Sequence, residues 1–221
     1  PGYSGSTQGI ISSQSTADPV QTASWNGLFS EKLFIKDNPD VTAVSQNPNG
    51  GWFVRWVSGS SASPSQNISR PTDGFVGFWM KTDTDGLEVS LCIDNDGHME
   101  RGNPIQVLGD GYWHCYQWSL NDNNQWQSWL NGDGQITAEY FTLDSIQIFG
   151  SDTDAEFYID SISHNQNQSI YVIKDCEHIF KAGRGMKADL DQDCSVNFDD
   201  LTLLCKNWLL QDTLYDIENN N

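Results

Sequence analysis

Between residues 189 and 200, Asp189, Asp191 and Asp193 alternate with Leu190 and Gln192, and Ser195, Asn197 and Asp200 follow. Oxygen donors at positions one, three, five, seven, nine and twelve of a twelve-residue loop are what a hard cation such as Ca²⁺ takes. Ser195, at position seven, supplies its backbone carbonyl. Three carboxylates at alternate positions repel one another unless a cation offsets them, which favours a Ca²⁺ loop over a bare acidic turn. Val196 at position eight is apolar, and Asp200 opens an expected helix, Leu201 to Leu209, with Leu201, Leu204 and Trp208 on one stripe. Position six, where glycine normally makes the sharp turn, is Cys194, so a disulfide or the local geometry must support that backbone.

The second set of residues is aromatic. Strand alternation places Trp79 and Trp113 on outward surfaces with Lys81, Glu88, Asp94 and Gln117, and the polar loop 123–129 carries Trp126 and Trp129. Such rings stack on sugar C–H faces while polar side chains bond the hydroxyls. Taken singly, each tryptophan is as well explained by packing, since large aromatics are mostly buried; the ligand reading rests on the group. Thirty acidic against eleven basic residues give a net charge of -19. That charge disfavours nucleic acid, anionic membranes and polyanionic glycans, and leaves a neutral poly- or oligosaccharide as the expected partner. No apolar run reaches membrane-spanning length.

Catalysis finds little support. His98, His114, His164 and His178 fall in no nucleophile or metal pattern. Arg55, Arg101 and Tyr158 are the side chains to argue for a lyase base, but salt bridges and sheet edges explain them equally well. No catalytic residue is assigned. Asp160 is a candidate for a second Ca²⁺, and Asp144 reads as a turn or strand-edge carboxylate.

The elements that must position these groups are short β-type runs separated by turn signals such as Asp85-Gly86, Asp96-Gly97 and Asp110-Gly111. No helical period appears before residue 173, so the main body is mostly β and antiparallel. Alternation turns Val76, Phe78 and Met80 inward, and likewise Leu87, Val89, Leu91 and Ile93. It turns Tyr116, Trp118 and Leu120 inward with His114, and also Phe157 and Ile159. In 51–57 either Trp52, Val54 and Trp56 or Phe53 and Val57 are buried. Cys92 and Cys115 fall on one face, so a cross-strand disulfide between them and two separate thiols are both open. The boundaries read as a sandwich over 1–164, a linker over 165–172, a small unit over 173–215 and a disordered tail over 216–221.

The stretches DLDQDC, VNFDDLTLL and NWLL resemble a Cys-containing dockerin repeat, an EF-hand-type loop running into a leucine-rich helix. A dockerin carries two such loops and this chain has one. The resemblance implies bound Ca²⁺, a short helix around Asp175 to Ala182, export to the cell surface or medium, and a protein partner docking through the tail. The stretches GFVGFWMKTD, LEVSLCIDNDG, DGYWHCYQWSL, LDSIQIFG and EFYIDSIS resemble galactose-binding-like carbohydrate-binding modules. That resemblance implies a jelly-roll β-sandwich that holds glycans on one sheet face or on end loops.

Overall fold

The computed structural model describes residues 6–47, 50–57 and 67–208. The expected tail 216–221 lies outside them. The chain divides into two compact units, Pro1–Val172 and Ile173–Asn221.

The first unit is built of strands: β1 (Thr16–Val20), β2 (Ser30–Ile35), β3 (Trp52–Val57), β4 (Ser69–Pro71), β5 (Phe75–Thr82), β6 (Glu88–Asn95), β7 (His98–Gly102), β8 (Ile105–Gln106), β9 (Trp113–Ser119), β10 (Trp126–Ser128), β11 (Tyr140–Gly150) and β12 (Ala155–Asn165). They form a five-stranded sheet ordered β1-β2-β12-β5-β9 and a seven-stranded sheet ordered β10-β7-β6-β11-β3, with β4 added on β11 and β8 on β6. The pairings are antiparallel, as the turn spacing requires. The mostly-β sandwich expected from the sequence is therefore the fold.

The inner faces meet in one core. Val76, Phe78 and Met80 of β5, Tyr116 and Trp118 of β9, and Phe157 and Ile159 of β12 pack against Val89, Leu91 and Ile93 of β6 and Ile146 and Ile148 of β11. Burying each such side chain contributes about 1.5–3 kcal/mol. Strand β3 resolves the open alternation: Trp52 and Val54 enter this core, with Trp56 packed against it, while Phe53 is buried on the opposite face in a second cluster with Val44, Cys92, Trp129 and Phe149.

The connections settle the alternative left open for Cys92 and Cys115. The turn Asp96-Gly97, with φ of 56° and 79°, joins β6 to β7, the geometry of a tight hairpin turn. Strand β6 thus pairs with β7, not with β9, which lies in the other sheet. Cys92 and Cys115 are both free thiols. The disulfide joins Cys176 to Cys194.

The second unit holds α1 (Cys176–Lys181) and α2 (Phe198–Trp208). Asp175 caps α1 by accepting the His178 N–H at 3.0 Å. Helix α2 begins three residues before the expected Leu201, and Asp199 and Asp200 in its first turn suit the positive end of the helix.

Candidate functional site

The four candidate tryptophans are buried, which is the packing alternative for each. Trp79 does project from the outer face of the five-stranded sheet, yet it is only 2% exposed. Trp25 stacks on it with centroids 3.5 Å apart and planes 12° apart, and Tyr171 stacks at 5.3 Å. Asp160 fixes that cover, its Oδ2 accepting the backbone N–H groups of Trp25 at 2.7 Å and Asn26 at 3.0 Å. Trp113 is 3% exposed. Trp126 belongs to the main core, its indole N–H satisfied by the Ser119 carbonyl at 2.8 Å. Trp129 sits in the second cluster and donates to Gln46 Oε1 at 2.9 Å. Gln117 is engaged too: its Oε1 accepts the Ile170 N–H at 2.9 Å and its Nε2 donates to Ser169 at 2.8 Å, pinning the segment that brings in Tyr171.

Glu88 and Asp94 behave differently. Both lie on the outer face of the seven-stranded sheet, at opposite ends of β6, and each lines a cavity. Asp94 belongs to an open groove of about 480 Å³, walled by Ser69, Asp96, Glu139, Tyr140 and Thr142. Tyr140 is 51% exposed there. Asp94 is oriented by the Gly97 N–H, which it accepts at 2.9 Å. Glu88 lines a smaller cavity of about 90 Å³ with Asn47, Gln106 and Phe149.

Between the cavities the face is polar and aromatic together. The register aligns Arg55 with Gln147 and Gln147 with Ser90. A bulge between Leu143 and Ser145 breaks the ladder at Asp144, and Asp144 pairs with Arg55 through Nη2 at 2.5 Å and Nε at 3.1 Å. Bulges re-aim side chains in this way. Arg55 is thereby ion-paired, and the Tyr158 hydroxyl donates to Glu156 at 2.9 Å. Arg101 lies over the Trp129 ring at 5.1 Å, and burial lowers its pKa to about 10. Asp144→Asn is expected to destabilise the sandwich by about 3–5 kcal/mol, because Arg55 would keep its charge in a site that is mostly dry. Denaturant unfolding measures it; an unchanged midpoint would show the pair to be idle.

The acidic loop of the second unit is closed by hydrogen bonds from its own backbone to its carboxylates. Carboxylate oxygens of Asp189, Asp191 and Asp193 lie within 4.8 Å of one another. Asp189 and Asp200 are buried, whereas Asp191 and Asp193 are exposed. Asp189 accepts the N–H groups of Asp193 at 3.1 Å and Cys194 at 2.8 Å, and Asp200 accepts those of Leu190 at 2.5 Å and Asn197 at 2.8 Å. Ser195 donates its N–H to Asp193, and Asn197 accepts the N–H of Asp199. The Asp191 carboxyl is held above its ordinary pKa by desolvation and then by Asp193, Asp200 and Asp189. Cys194 adopts φ of 69°, where glycine is usual, and the Cys176 disulfide ties it down.

No protein-family model matches the chain, and no curated protein does. Solved structures do. Carbohydrate-binding modules are among them. One, described by the promiscuous specificity of modules from the β-sandwich superfamily, shares 9% identity at a TM-score of 0.43 over 73% of this chain, which spans 56% of that one. A family 30 module shares 16% at 0.40, covering 73% and 88% of the two chains. A family 11 module of a cellulosomal cellulase from Clostridium thermocellum shares 12% at 0.39, covering 72% and 85%.

The groove was not visible as a unit in the sequence, since its walls come from β4, the β6–β7 turn and the start of β11. One signal was there: in Tyr140-Phe141-Thr142-Leu143 the alternation sends Phe141 into the core and leaves Tyr140 outward.

Proposed function

We propose that the sandwich binds carbohydrate without catalysis, on the outer face of the seven-stranded sheet, and that the tail holds Ca²⁺. The observation that carries the first part is the open groove in which the half-exposed Tyr140 ring stands beside Asp94, Asp96 and Glu139. A ring offers its face to sugar C–H groups, and the flanking carboxylates accept hydrogen bonds from the hydroxyls; the volume suits one or two sugar units. Tyr140→Ala is expected to weaken binding of a cognate oligosaccharide about tenfold. Its melting temperature should stay near that of the parent chain, since a half-exposed ring contributes little to folding. Isothermal titration over a panel of oligosaccharides reads this: no binding to any glycan sinks the reading, and an unaffected variant moves the site off the groove.

The tail fits Ca²⁺ by chemistry: every side chain at the ligand positions offers oxygen, and three carboxylates already converge. A bound cation would supply charge neutralisation and a cross-link in a unit too small to build much core. Asp189, Asp191, Asp193, Asn197 and Asp200 would hold it with the Ser195 carbonyl. A second role for the tail, docking a protein partner, is favoured by the exposure of Phe198, Leu201 and Leu204 on α2. The two disulfide cysteines and the glycan reading together suit an extracellular protein.

A further inference from the structure

The strip between the two cavities carries polar groups that the fold leaves unused. Gln147, flanked by the core residues Ile146 and Ile148, projects to the outer face, where it is fully buried, and neither atom of its amide has a hydrogen-bond partner. Two strands away on β7, the Arg101 guanidinium is packed among three rings, 5.1 Å from the Trp129 centroid, 5.5 Å from Phe149 and 5.8 Å from Phe53. Its Nε is buried without a partner. No carboxylate pairs with it among the described residues. A partly desolvated cation without a counter-ion is costly, and truncation of the cost by pairing is the rule. Arg55 shows the alternative on the same face: its Nε and Nη2 edge takes both oxygens of Asp144.

The corresponding edge of Arg101 is held by a substitute. Gln46 Oε1 accepts from Arg101 Nη2 at 3.0 Å and from Trp129 Nε1 at 2.9 Å. Gln46 sits half-buried on an irregular strap whose Val44 packs into the aromatic cluster. Its neighbours are anchored independently: Ser45 on Gln8 at 3.1 Å, and Asn47 on the carbonyls of Trp52 at 3.0 Å and Gly150 at 2.9 Å. Rotation of one side chain therefore vacates the donors without moving the strap.

We infer that Arg101 and Trp129 form a subsite for the carboxylate of a uronic acid residue, and that the Gln46 side chain occupies it in the free protein. The inference rests on the glycan reading above and names the chemistry of its substrate. A carboxylate matches the Nε and Nη2 edge of an arginine with two parallel bonds, which a hydroxyl does not. The negative charge of the whole protein opposes polyanions at long range, but salt screens it beyond about 8 Å, so an isolated uronate meets the local cation.

The test pairs neutral oligosaccharides with counterparts of the same linkage whose C6 is oxidised to a carboxylate, titrated into the full chain. At least one oxidised member should bind about tenfold more tightly than its parent, a preference that shrinks as salt is raised. Gln46→Ala, which removes the internal competitor, should tighten the oxidised ligand about threefold or more. Arg101→Gln should abolish the preference and keep neutral binding; if that variant does not fold, Gln46→Ala decides. Neutral binding with no preference in any pair, or a Gln46→Ala variant no tighter than the parent, overturns the inference and leaves the glycan reading standing. Failure of every sugar to bind overturns both.

Discussion

Trp79→Ala is expected to lower the stability of the sandwich by about 3–5 kcal/mol and to leave glycan affinity unchanged. The ring has the composition and strand position of a sugar platform, but Trp25 lies flat on it at 3.5 Å and Tyr171 covers its other margin. Removing it opens a cavity beneath two aromatic lids and forfeits both stacking contacts, each worth about 0.5–1.5 kcal/mol beyond the area buried. The lids are themselves fastened, Trp25 through its backbone to Asp160 and the segment before Tyr171 through Gln117, so the site has little freedom to collapse. For a unit of this size each kcal/mol corresponds to roughly 2–4 °C in Tm, which a thermal scan resolves. A variant that melts like the parent but loses its oligosaccharide would instead make Trp79 a ligand platform.

That contrast shows which part of the architecture a single sequence can disclose. Period-two alternation assigned the inward sets of β5, β6, β9 and β12, because one face of each strand must enter a dry core whatever its neighbours are. It gave the outward side of Trp79, Glu88 and Asp94 on the same grounds. It was silent about what lies over an outward side chain, since Trp25 and Tyr171 arrive from distant segments with no period of their own. Strand partnership was equally hidden: Cys92 and Cys115 have matching alternation but stand in different sheets. The Arg55–Asp144 pair spans 89 residues and depends on a bulge, which no local pattern announces. The polar neighbours of Trp126 and Trp129 leave packing and display both open in the sequence. Those neighbours are spent on the turn itself, Asp122 accepting the Asn124 N–H and Gln125 that of Ser119, while the rings go inward. The acidic loop was the most legible feature because its groups are consecutive and the backbone alone brings them together.

In that loop, Ca²⁺ is expected to raise the stability of the tail by about 4 kcal/mol at a thousandfold excess over its Kd, and chelation to remove the gain while the sandwich stays folded. The variant that isolates the metal is Asp191→Asn. Asp189 and Asp200 each tie down several backbone N–H groups, so replacing either by alanine breaks the loop as well as the ligand set. Asp191 is exposed and accepts only the Asp193 N–H, at 3.2 Å, which an asparagine oxygen still accepts. It should therefore melt no lower than the parent under chelation, since one of the mutually repelling carboxylates is gone, and gain much less than the parent when Ca²⁺ is added. The Cys176–Cys194 disulfide contributes separately, about 2–4 kcal/mol, by closing the loop between α1 and the turn at Cys194 in the unfolded chain. With the bond intact the tail should keep its helices without metal; with both cysteines changed to serine, folding should depend on Ca²⁺. Far-UV circular dichroism across the four combinations of bond and ion separates the terms, and an identical signal with and without Ca²⁺ in the serine variant would remove the metal from the account.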